Sequence, residues 1–336
     1  MTTRMSLSAV CHALDGPEQI VLEKVSVGSP GENEVIVRVQ AASLNFPDVL
    51  MTYGQYQFKP ELPFTIGMEG AGNIVETGSG CKRFKVGDRV LFKGKTGACS
   101  EYVRMREEEL SVLPETLTFE QGAAFSITFH TAYVALAKRG FLKRGETLLV
   151  SGAGGGVGQA SVAVGNALGA SVIAMASTEE KLAIAKKSGA EHSILYDDYK
   201  FSDRVMQITE GRGVDVILDP VGGPVLAEST ECLAWAGRLL TVGFASHSFG
   251  SVPLKTLQKK GAALIGVRAG EYGRRNPAAG QEAQEELLKL AREKELRPWI
   301  GGVQPLEKVA QSLKAMEQRK ISGKQVVRMT GAPEGR

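Results

Sequence analysis

A short run of small residues, AGGGVG at 153–158, has the spacing of a phosphate-binding turn. It follows an apolar segment at 147–150 that predicts a buried strand, and a helix is predicted from Gly156 onward. A glycine at 155 would let the backbone approach a pyrophosphate, and a glycine at 158 would let helix and strand pack closely. Free amides at the start of the helix favour an anion. The alternative is a turn without a ligand, and we predict instead a dinucleotide site that includes Gly154, Gly155, Gly156, Val157 and Gly158.

The second predicted strand, SVIAMAS at 171–177, does not end in the acidic residue that usually binds the ribose 2′-hydroxyl of NAD. Two glutamates at 179–180 come later and suit the first turn of the next helix. The Ser177 hydroxyl and the Lys181 ammonium, one helical turn apart, would accept a 2′-phosphate, which predicts NADPH as the cofactor. Tyr196, after the third strand, is a further candidate donor. The alternative for Lys181 is a solvated lysine on the helix surface.

The elements that must position these residues follow from six unbroken apolar segments separated by helical patterns. The segments are TLLVSG, SVIAMAS, HSILYDD, VDVILDPVGG, GRLLTVGFAS and GAALIGV. Strands that are buried on both faces and alternate with helices predict a parallel, doubly wound sheet of an α/β protein. Ligands bind such sheets at the carboxyl ends of the strands, which is where the glycine run lies.

The N-terminal part of the chain has a different pattern, with short apolar runs of period two between Gly, Pro and Asn. This pattern predicts many short strands. The chain ends with two amphipathic helical segments, QEAQEELLKLAREKEL and LEKVAQSLKAMEQRK, and a last strand, GKQVVRM. We expect residues 1–126 and 270–336 to form one β-rich domain, with residues 127–269 inserted as the nucleotide-binding domain.

Length and composition exclude several classes of protein. A chain of 336 residues suits two domains, and a net charge of +3 without a basic run argues against a nucleic-acid partner. The polar N-terminus and the lack of any apolar stretch of about 18 residues argue against secretion and membrane spanning. The 4 cysteines are scattered, which predicts reduced structural thiols. A cytoplasmic protein is the default expectation.

Six collinear motifs span nearly the whole chain: AASLNFPDVLMTYGQY, LPFTIGMEGAGNIVETGSGCKRFKVGDRV, TAYVAL, SGAGGGVGQ, LDPVGG and TVGFAS. Together they resemble the zinc-free quinone oxidoreductases, the branch of the medium-chain dehydrogenase/reductase superfamily that includes zeta-crystallin. The resemblance implies a GroES-like β-rich catalytic domain and a Rossmann nucleotide-binding domain, with the active cleft between them. It also implies a homodimer, joined through the edge of the nucleotide-binding sheet near ALIGV at 263–267.

The zinc-dependent relatives carry metal ligands that this sequence lacks. Their cysteine ligand would lie in the SLNFPD region, where this chain has Leu44 and Asn45, and their GHE motif is here Gly67-Met68-Glu69. A thioether in place of an imidazole is a poor zinc ligand, and no four-cysteine cluster exists for a structural zinc. We therefore expect no metal and interpret Glu69 as a structural carboxylate.

The resemblance also assigns roles to single residues. Asn45 and Tyr56 match positions that line the substrate cleft, where hydrogen-bond donors would answer the negative charge that develops on the substrate oxygen; the alternatives are a turn-forming Asn45 and, for nearby Tyr53, loop packing. Thr131 corresponds to a residue that touches the nicotinamide carboxamide. The remaining predicted cofactor contacts are Val242, Gly243, Phe244 and Arg319. For Arg319, as for Lys324, a solvated basic turn is the favoured alternative.

The expected function is that of an NADPH-dependent, metal-free reductase of quinones or other α,β-unsaturated carbonyl compounds. One alternative within the enzymes is an enoyl-thioester reductase acting on acyl-CoA. Another class is an NADPH-binding protein with a structural or RNA-binding role, as in some relatives of zeta-crystallin. The near-neutral charge argues against strong electrostatic binding of RNA.

Overall fold

The computed structural model of the protein describes residues 4–196 and 200–329. The strands of these residues are, in chain order, β1 (Arg4–Cys11), β2 (Ile20–Val27), β3 (Glu34–Leu44), β4 (Phe64–Thr65), β5 (Glu69–Thr77), β6 (Arg89–Lys93), β7 (Tyr102–Arg106), β8 (Leu110–Val112), β9 (Thr147–Val150), β10 (Ser171–Ala176), β11 (His192–Leu195), β12 (Val214–Asp219), β13 (Leu233–Thr241), β14 (Ala263–Gly266), β15 (Ile300–Pro305) and β16 (Lys324–Arg328).

The α-helices are α1 (Phe46–Thr52), α2 (Phe119–Ala123), α3 (Ser126–Tyr133), α4 (Gly156–Ala167), α5 (Glu179–Lys187), α6 (Ser202–Ile208), α7 (Pro224–Ser229), α8 (Leu254–Lys260), α9 (Ala269–Arg275), α10 (Pro277–Glu293) and α11 (Val309–Glu317). Helix α3 continues as a π-helix over Val134–Arg139. None of the helices in the described part of the chain is long and apolar enough to cross a membrane.

The chain forms two compact units. The first takes residues up to Ile127 and again from Arg297, and the second spans Thr128–Leu296. Each unit has its own apolar core, with the first around Phe92 and Ile66 and the second around Leu149 and Phe201. The long middle segment is thus inserted into the fold of the first unit.

The second unit is built on a parallel sheet in the order β11-β10-β9-β12-β13-β14. The first strand along the chain, β9, lies in the middle, so the order reverses between β9 and β12. This is the strand order of a Rossmann fold, and the reversal opens a crevice at the carboxyl ends of these two strands. The predicted α/β fold is confirmed. The last residues of the predicted third strand, 197–198, lie outside the described residues.

The second boundary between the units differs from the predicted one at 269/270. Helix α10 lies in the second unit, where the Tyr133 hydroxyl donates to Glu286 Oε2 over 3.0 Å. The Lys138 ammonium also pairs with Glu286 at 2.5 Å and with Glu282 at 3.6 Å. These polar contacts hold α10 to the helical segment that precedes β9, so the chain returns to the first unit only after α10.

The first unit contains a sheet in the order β15-β16-β3-β5-β6-β8, with β7 paired to β3 beside it, and a smaller sheet, β2-β1-β4. Strand β16 pairs antiparallel with β3, which places Gln325 opposite Leu44. The C-terminal segment therefore completes this sheet. Lys324, the first residue of β16, therefore lies next to the end of β3, where α1 begins.

Candidate functional site

The glycine run forms the turn between β9 and α4. The first α-helical hydrogen bond runs from Gln159 N to Gly155 O over 2.8 Å, which leaves the amides of Gly156, Val157 and Gly158 without helical partners. A Cβ at Gly158 would come 2.1 Å from Gly152 O, so this glycine permits the close packing of helix and turn. The arrangement presents a row of amide donors at the carboxyl end of β9, which suits an anion.

Gly155 has no such steric need within the chain. A Cβ built there would meet only Gly152 O, at 3.5 Å, and the backbone is in an extended conformation with φ −86° and ψ 170°. An alanine would be tolerated by the fold itself. The exposed space beside Gly155 is therefore a cradle that a side chain would fill, and it fits the approach of a pyrophosphate.

Lys181 lies beside this turn. Thr178 caps α5, with its hydroxyl accepting from Lys181 N over 3.3 Å, and a Cβ at Gly154 would come 2.4 Å from Lys181 Cβ. Within the described residues the Lys181 ammonium has no ion pair or hydrogen bond. The Ser177 hydroxyl, just after β10, belongs to an exposed residue. Two candidate phosphate ligands thus lie at the carboxyl end of β10, next to the glycine turn.

Two other candidate cofactor residues of the second unit, Tyr196 and Thr131, differ in how deeply they are buried. Tyr196 is largely buried, with its ring 6.4 Å from that of Phe201 in the apolar core. Thr131 is half-buried in α3. Core packing gives Tyr196 a structural reason to be aromatic, and its role in cofactor binding stays a prediction, as does that of Thr131.

A buried carboxylate organises the next edge of the sheet. Asp219 Oδ1, at the end of β12, accepts from the Ser151 hydroxyl over 2.6 Å and from Val221 N over 2.8 Å. Burial raises the pKa of Asp219, and these hydrogen bonds oppose the shift. The Asp219 carboxylate thus connects the loop after β12 to the residue that follows β9. Strands β9 and β12 are the two that border the crevice.

The segment after β13 follows the same edge. Val242 N donates to Asp219 O over 2.9 Å, and a Cβ at Gly243 would come 3.2 Å from Pro220 O. The Phe244 ring packs against Phe249, with centroids 4.2 Å apart. Val242 and Gly243 therefore lie beside the loop after β12, and Phe244 follows them, while Arg319 lies in the first unit, exposed and with a positive φ of 57°.

In the first unit a buried polar cluster surrounds the start of α1. The Lys324 ammonium donates to Leu44 O over 3.0 Å, to Asn45 Oδ1 over 2.7 Å and to Glu69 Oε1 over 2.9 Å. The Lys324 side chain is only 3% exposed and that of Glu69 is 0% exposed. The expectation of a solvated basic turn is therefore wrong for Lys324, because this side chain is buried against a carboxylate.

Every polar atom of Asn45 makes a hydrogen bond. Its backbone N–H donates to Asp48 Oδ2 over 2.8 Å, and its Nδ2 donates to Glu69 Oε1 over 3.0 Å and to Ser43 O over 3.3 Å. Asn45 is thus the N-cap residue of α1 and part of the cluster. The spacing Asn-x-x-Asp is a capping signal that sequence reasoning could have used and did not.

The two tyrosines that follow α1 differ in their surroundings. Tyr53 contacts Gly16, since a Cβ on that glycine would come 2.8 Å from the hydroxyl oxygen. Burial and a hydrogen bond with Glu317 raise the pKa of Tyr53. This matches the loop-packing alternative. Tyr56 is half-buried against the core of the first unit, and its role as a donor to substrate stays a prediction.

Asp48 was missed by the sequence reasoning. Its carboxyl is fully buried, and burial raises its pKa to about 7, although the Asn45 amide and the charge of Lys324 oppose the shift. Within the described residues Asp48 Oδ1 has no hydrogen-bond partner. Burial therefore moves the pKa of this carboxyl toward neutral pH.

The residues at the position of the zinc ligands of relatives do not fit a zinc ion. Asn45 and Met68 are weak ligands for zinc, and the Glu69 carboxylate already binds an ammonium at 2.9 Å. That buried positive charge would repel a dication in the same place. No group of three His, Cys, Asp or Glu side chains in the described part of the chain is arranged to hold a metal ion. Metal independence stays a prediction.

Comparisons with known proteins agree with this architecture. The family model described as "Alcohol dehydrogenase GroES-like domain" matches residues 31–143, and the one described as "Zinc-binding dehydrogenase" matches residues 156–291. A relative from Nematostella vectensis, "Quinone oxidoreductase-like protein 2 homolog", is 37% identical over 330 residues, which cover 97% of this chain and 90% of the relative.

Solved structures are similar over nearly the whole chain. The crystal structure of a probable oxidoreductase from Mycobacterium abscessus is 34% identical with a TM-score of 0.87, covering 96% of this chain and 99% of that one. A mycobacterial protein complexed with NADPH is 28% identical with a TM-score of 0.87, covering 97% and 100%. The chain is therefore an oxidoreductase that belongs to the quinone oxidoreductase branch of the medium-chain dehydrogenase/reductase superfamily.

Proposed function

We propose that the protein is an NADPH-dependent, metal-free reductase of quinones or other α,β-unsaturated carbonyl compounds. The observation that carries this proposal is the combination of the open Gly155 turn with an adjacent lysine ammonium, Lys181, that has no partner within the described residues. A site for a pyrophosphate and a site for one more phosphate thus lie side by side. NADPH differs from NADH by that one phosphate.

In this proposal the amides of Gly156, Val157 and Gly158 bind the pyrophosphate, while Ser177 and Lys181 bind the 2′-phosphate. A hydrogen bond between charged groups contributes about 1.5–3 kcal/mol, so Lys181 alone would favour NADPH over NADH by roughly ten- to a hundredfold. Further cofactor contacts are assigned to Thr131, Tyr196, Val242, Gly243, Phe244 and Arg319. Binding of NADPH by a structural neighbour of 28% identity supports this choice of cofactor.

When bound in this site, a nicotinamide cofactor would supply the hydride for the electrophilic carbon of the substrate. The protein's own part is to answer the negative charge that then develops on the substrate oxygen. We assign this part to Asn45 and Tyr56. Of the two Nδ2 hydrogen bonds of Asn45, the one to Ser43 O is the longer at 3.3 Å, so it is the one that a substrate oxygen would replace.

The proposed assembly is a homodimer formed through β14. This strand pairs only with β13 among the described strands, and it carries Leu264 with 43% of its surface exposed. An unpaired edge with an exposed apolar side chain is suited to pairing with a second copy of the chain.

Steady-state oxidation of NADPH and of NADH with a panel of quinones, enones and enoyl-CoA thioesters tests the proposed function. We expect substrate-dependent consumption of NADPH with quinones or enones in protein that elemental analysis finds free of zinc. Activity confined to enoyl-CoA would favour an acyl-thioester reductase. NADPH consumption that depends on none of these substrates, together with salt-sensitive RNA binding, would point to the binding-protein class.

A further inference from the structure

Lys324 is a buried cation at a junction of three segments. It begins β16, and its backbone N–H donates to Trp299 O over 2.9 Å. Its ammonium has three hydrogens and meets three acceptors, which are Leu44 O, Asn45 Oδ1 and Glu69 Oε1. All of its donors are used, so the side chain has one orientation. A cation fixed in this way determines the orientation of the groups around it.

The ammonium fixes the oxygen end of the Asn45 amide. Because an ammonium can only donate, the oxygen of the amide must face Lys324, and the NH2 group must point the other way. The NH2 group then donates to Glu69 Oε1 and to Ser43 O. Without the ammonium, the oxygen end of the Asn45 amide would lose this charged donor, and Glu69 Oε1 and Ser43 O alone would hold the NH2 end.

Glu69 is fixed from both sides. Its Oε1 accepts from Lys324 and Asn45, and its Oε2 accepts from Ile127 N over 2.7 Å. Lys324, Glu69 and Asn45 therefore form a closed, buried triangle of charge-assisted hydrogen bonds. Closed and fully satisfied networks of this kind hold a single geometry.

We propose that Lys324 is a positioning residue for the substrate side of the enzyme: its ammonium holds the Asn45 amide in the orientation that presents an N–H to the substrate oxygen. The proposal rests on the function proposed above, and it adds a residue that acts through Asn45 without touching substrate. It also gives a reason why the C-terminal strand returns to the first unit with a lysine at its first position.

A double-mutant cycle tests the proposal, with Lys324→Met made in the wild-type chain and in Asn45→Ala. We expect Lys324→Met to lower kcat with a quinone by about tenfold or more, since small misplacements of catalytic groups cost up to about a hundredfold. The Kd for NADPH should stay within about twofold, and in the Asn45→Ala background the same change should alter kcat by less than about threefold. Equal losses in both backgrounds would overturn the proposal.

The matched control is Arg328→Met. Arg328 lies in the same strand and pairs with Glu120 at 2.8 Å, so its loss also removes an ion pair from β16 but leaves Asn45 untouched. We expect a lower Tm with unchanged kcat. If Lys324→Met does not fold, Lys324→Met with Glu69→Gln removes both charges of the buried pair, which proteins often tolerate. A wild-type kcat in this double variant would equally overturn the proposal.

A readout that needs no turnover separates this proposal from the proposed function. The Asn45 side-chain NH2 signal, identified in NMR spectra by its absence in Asn45→Ala, should exchange slowly with solvent in the wild type. We expect exchange about tenfold or more faster in Lys324→Met and unchanged in Arg328→Met. An inactive wild type with this exchange pattern would refute the proposed function while showing that Lys324 fixes the Asn45 amide. Unchanged exchange in Lys324→Met would refute the positioning by Lys324 whatever the activity of the wild type.

Discussion

Lys181 is the residue on which the proposed preference for NADPH depends. Its Cβ packs against Gly154, and within the described residues its ammonium has no partner. Lys181→Ala keeps this Cβ and removes only the charge and its stem. We expect the binding of NADPH to weaken by about 1.5–3 kcal/mol, which raises its Kd roughly ten- to a hundredfold, with the Kd for NADH almost unchanged. Fluorescence titration with both cofactors measures the two values.

Lys186 supplies the control for this change. It is exposed in the last turn of the same helix, so Lys186→Ala removes an equal charge far from the glycine turn. Both cofactors should bind this variant as they bind the wild type. An equal loss of NADPH and NADH affinity in Lys181→Ala would show that the lysine does not bind the 2′-phosphate.

Asp48 links stability to pH. Its pKa is raised from 3.8 to about 7 by burial, so in this window the folded protein holds a proton that the unfolded chain releases. Stability is therefore lost as pH rises through the window, at up to about 1.4 kcal/mol per pH unit. Two charged groups face this carboxyl, the Lys324 ammonium and the Glu69 carboxylate. The thiol of Cys99 is close enough for the Asp48 charge to act on it.

Asp48→Asn removes this titration and keeps an acceptor for the Asn45 amide. Denaturant unfolding at about pH 5 and about pH 8 should show the variant gaining stability relative to wild type at the higher pH. Asp15→Asn, at an exposed position of the same unit, is the control and should leave the pH profile unchanged. A variant that tracks the wild type at both pH values would contradict the raised pKa.

Single residues were predicted best where the signal is local. Glu179 and Glu180 lie in the first turn of α5, as their position after a strand predicts. Lys324 could not be predicted in this way, because its partners Glu69 and Asn45 lie 255 and 279 residues away in the chain. The polar segment RKISGK has the composition of a solvated turn, and only strand pairing between β16 and β3 buries its last lysine.

At the scale of elements, the turn between β9 and α4 contains two glycines with different roles. Gly158 is needed for packing within the fold, whereas Gly155 leaves open space that a ligand could occupy. Gly155→Ala adds a methyl group that meets only Gly152 O at 3.5 Å, whereas Gly158→Ala adds one at 2.1 Å from the same oxygen. We expect Gly155→Ala to keep its Tm and to weaken the binding of NADPH by about tenfold or more, because the methyl group would occupy the proposed pyrophosphate position. Gly158→Ala should lose about 1–3 kcal/mol of stability.

Thermal unfolding and cofactor titration of both variants check this expectation, with each glycine serving as the control for the other. Normal NADPH binding by Gly155→Ala would remove the turn from the cofactor site. Loss of stability in Gly155→Ala with none in Gly158→Ala would contradict the packing described for the two positions.

The alternation of strands and helices in the second unit could be predicted because strands buried on both faces are apolar throughout. All six predicted strands are present, in the order of a Rossmann fold. The position at which the chain returns to the first unit could not be predicted from the sequence, which suggested residue 270. The amphipathic pattern of α10 shows that one face packs, but it does not show against what. The choice is made by Tyr133 and Lys138, which bind Glu286 from a helix far earlier in the chain.

At the scale of the whole molecule, sequence alone cannot decide the assembly, because an apolar residue in a strand pattern has the same appearance whether a core or a second chain covers it. Two exposed sheet edges are candidates for an interface. Strand β14 ends the sheet of the second unit with Leu264 43% exposed, and β8 ends the larger sheet of the first unit with Val112 66% exposed. The two edges offer similar apolar side chains and allow a direct comparison.

If two copies join through β14, Leu264→Lys places like charges at the two-fold axis and should shift the protein from dimer to monomer. Light scattering after size exclusion measures the mass. Val112→Lys introduces the same charge at the other edge and should leave the dimer intact, and NADPH should bind both variants like the wild type. A monomeric wild type, or a Leu264→Lys variant that stays dimeric while Val112→Lys dissociates, would reject β14 as the interface.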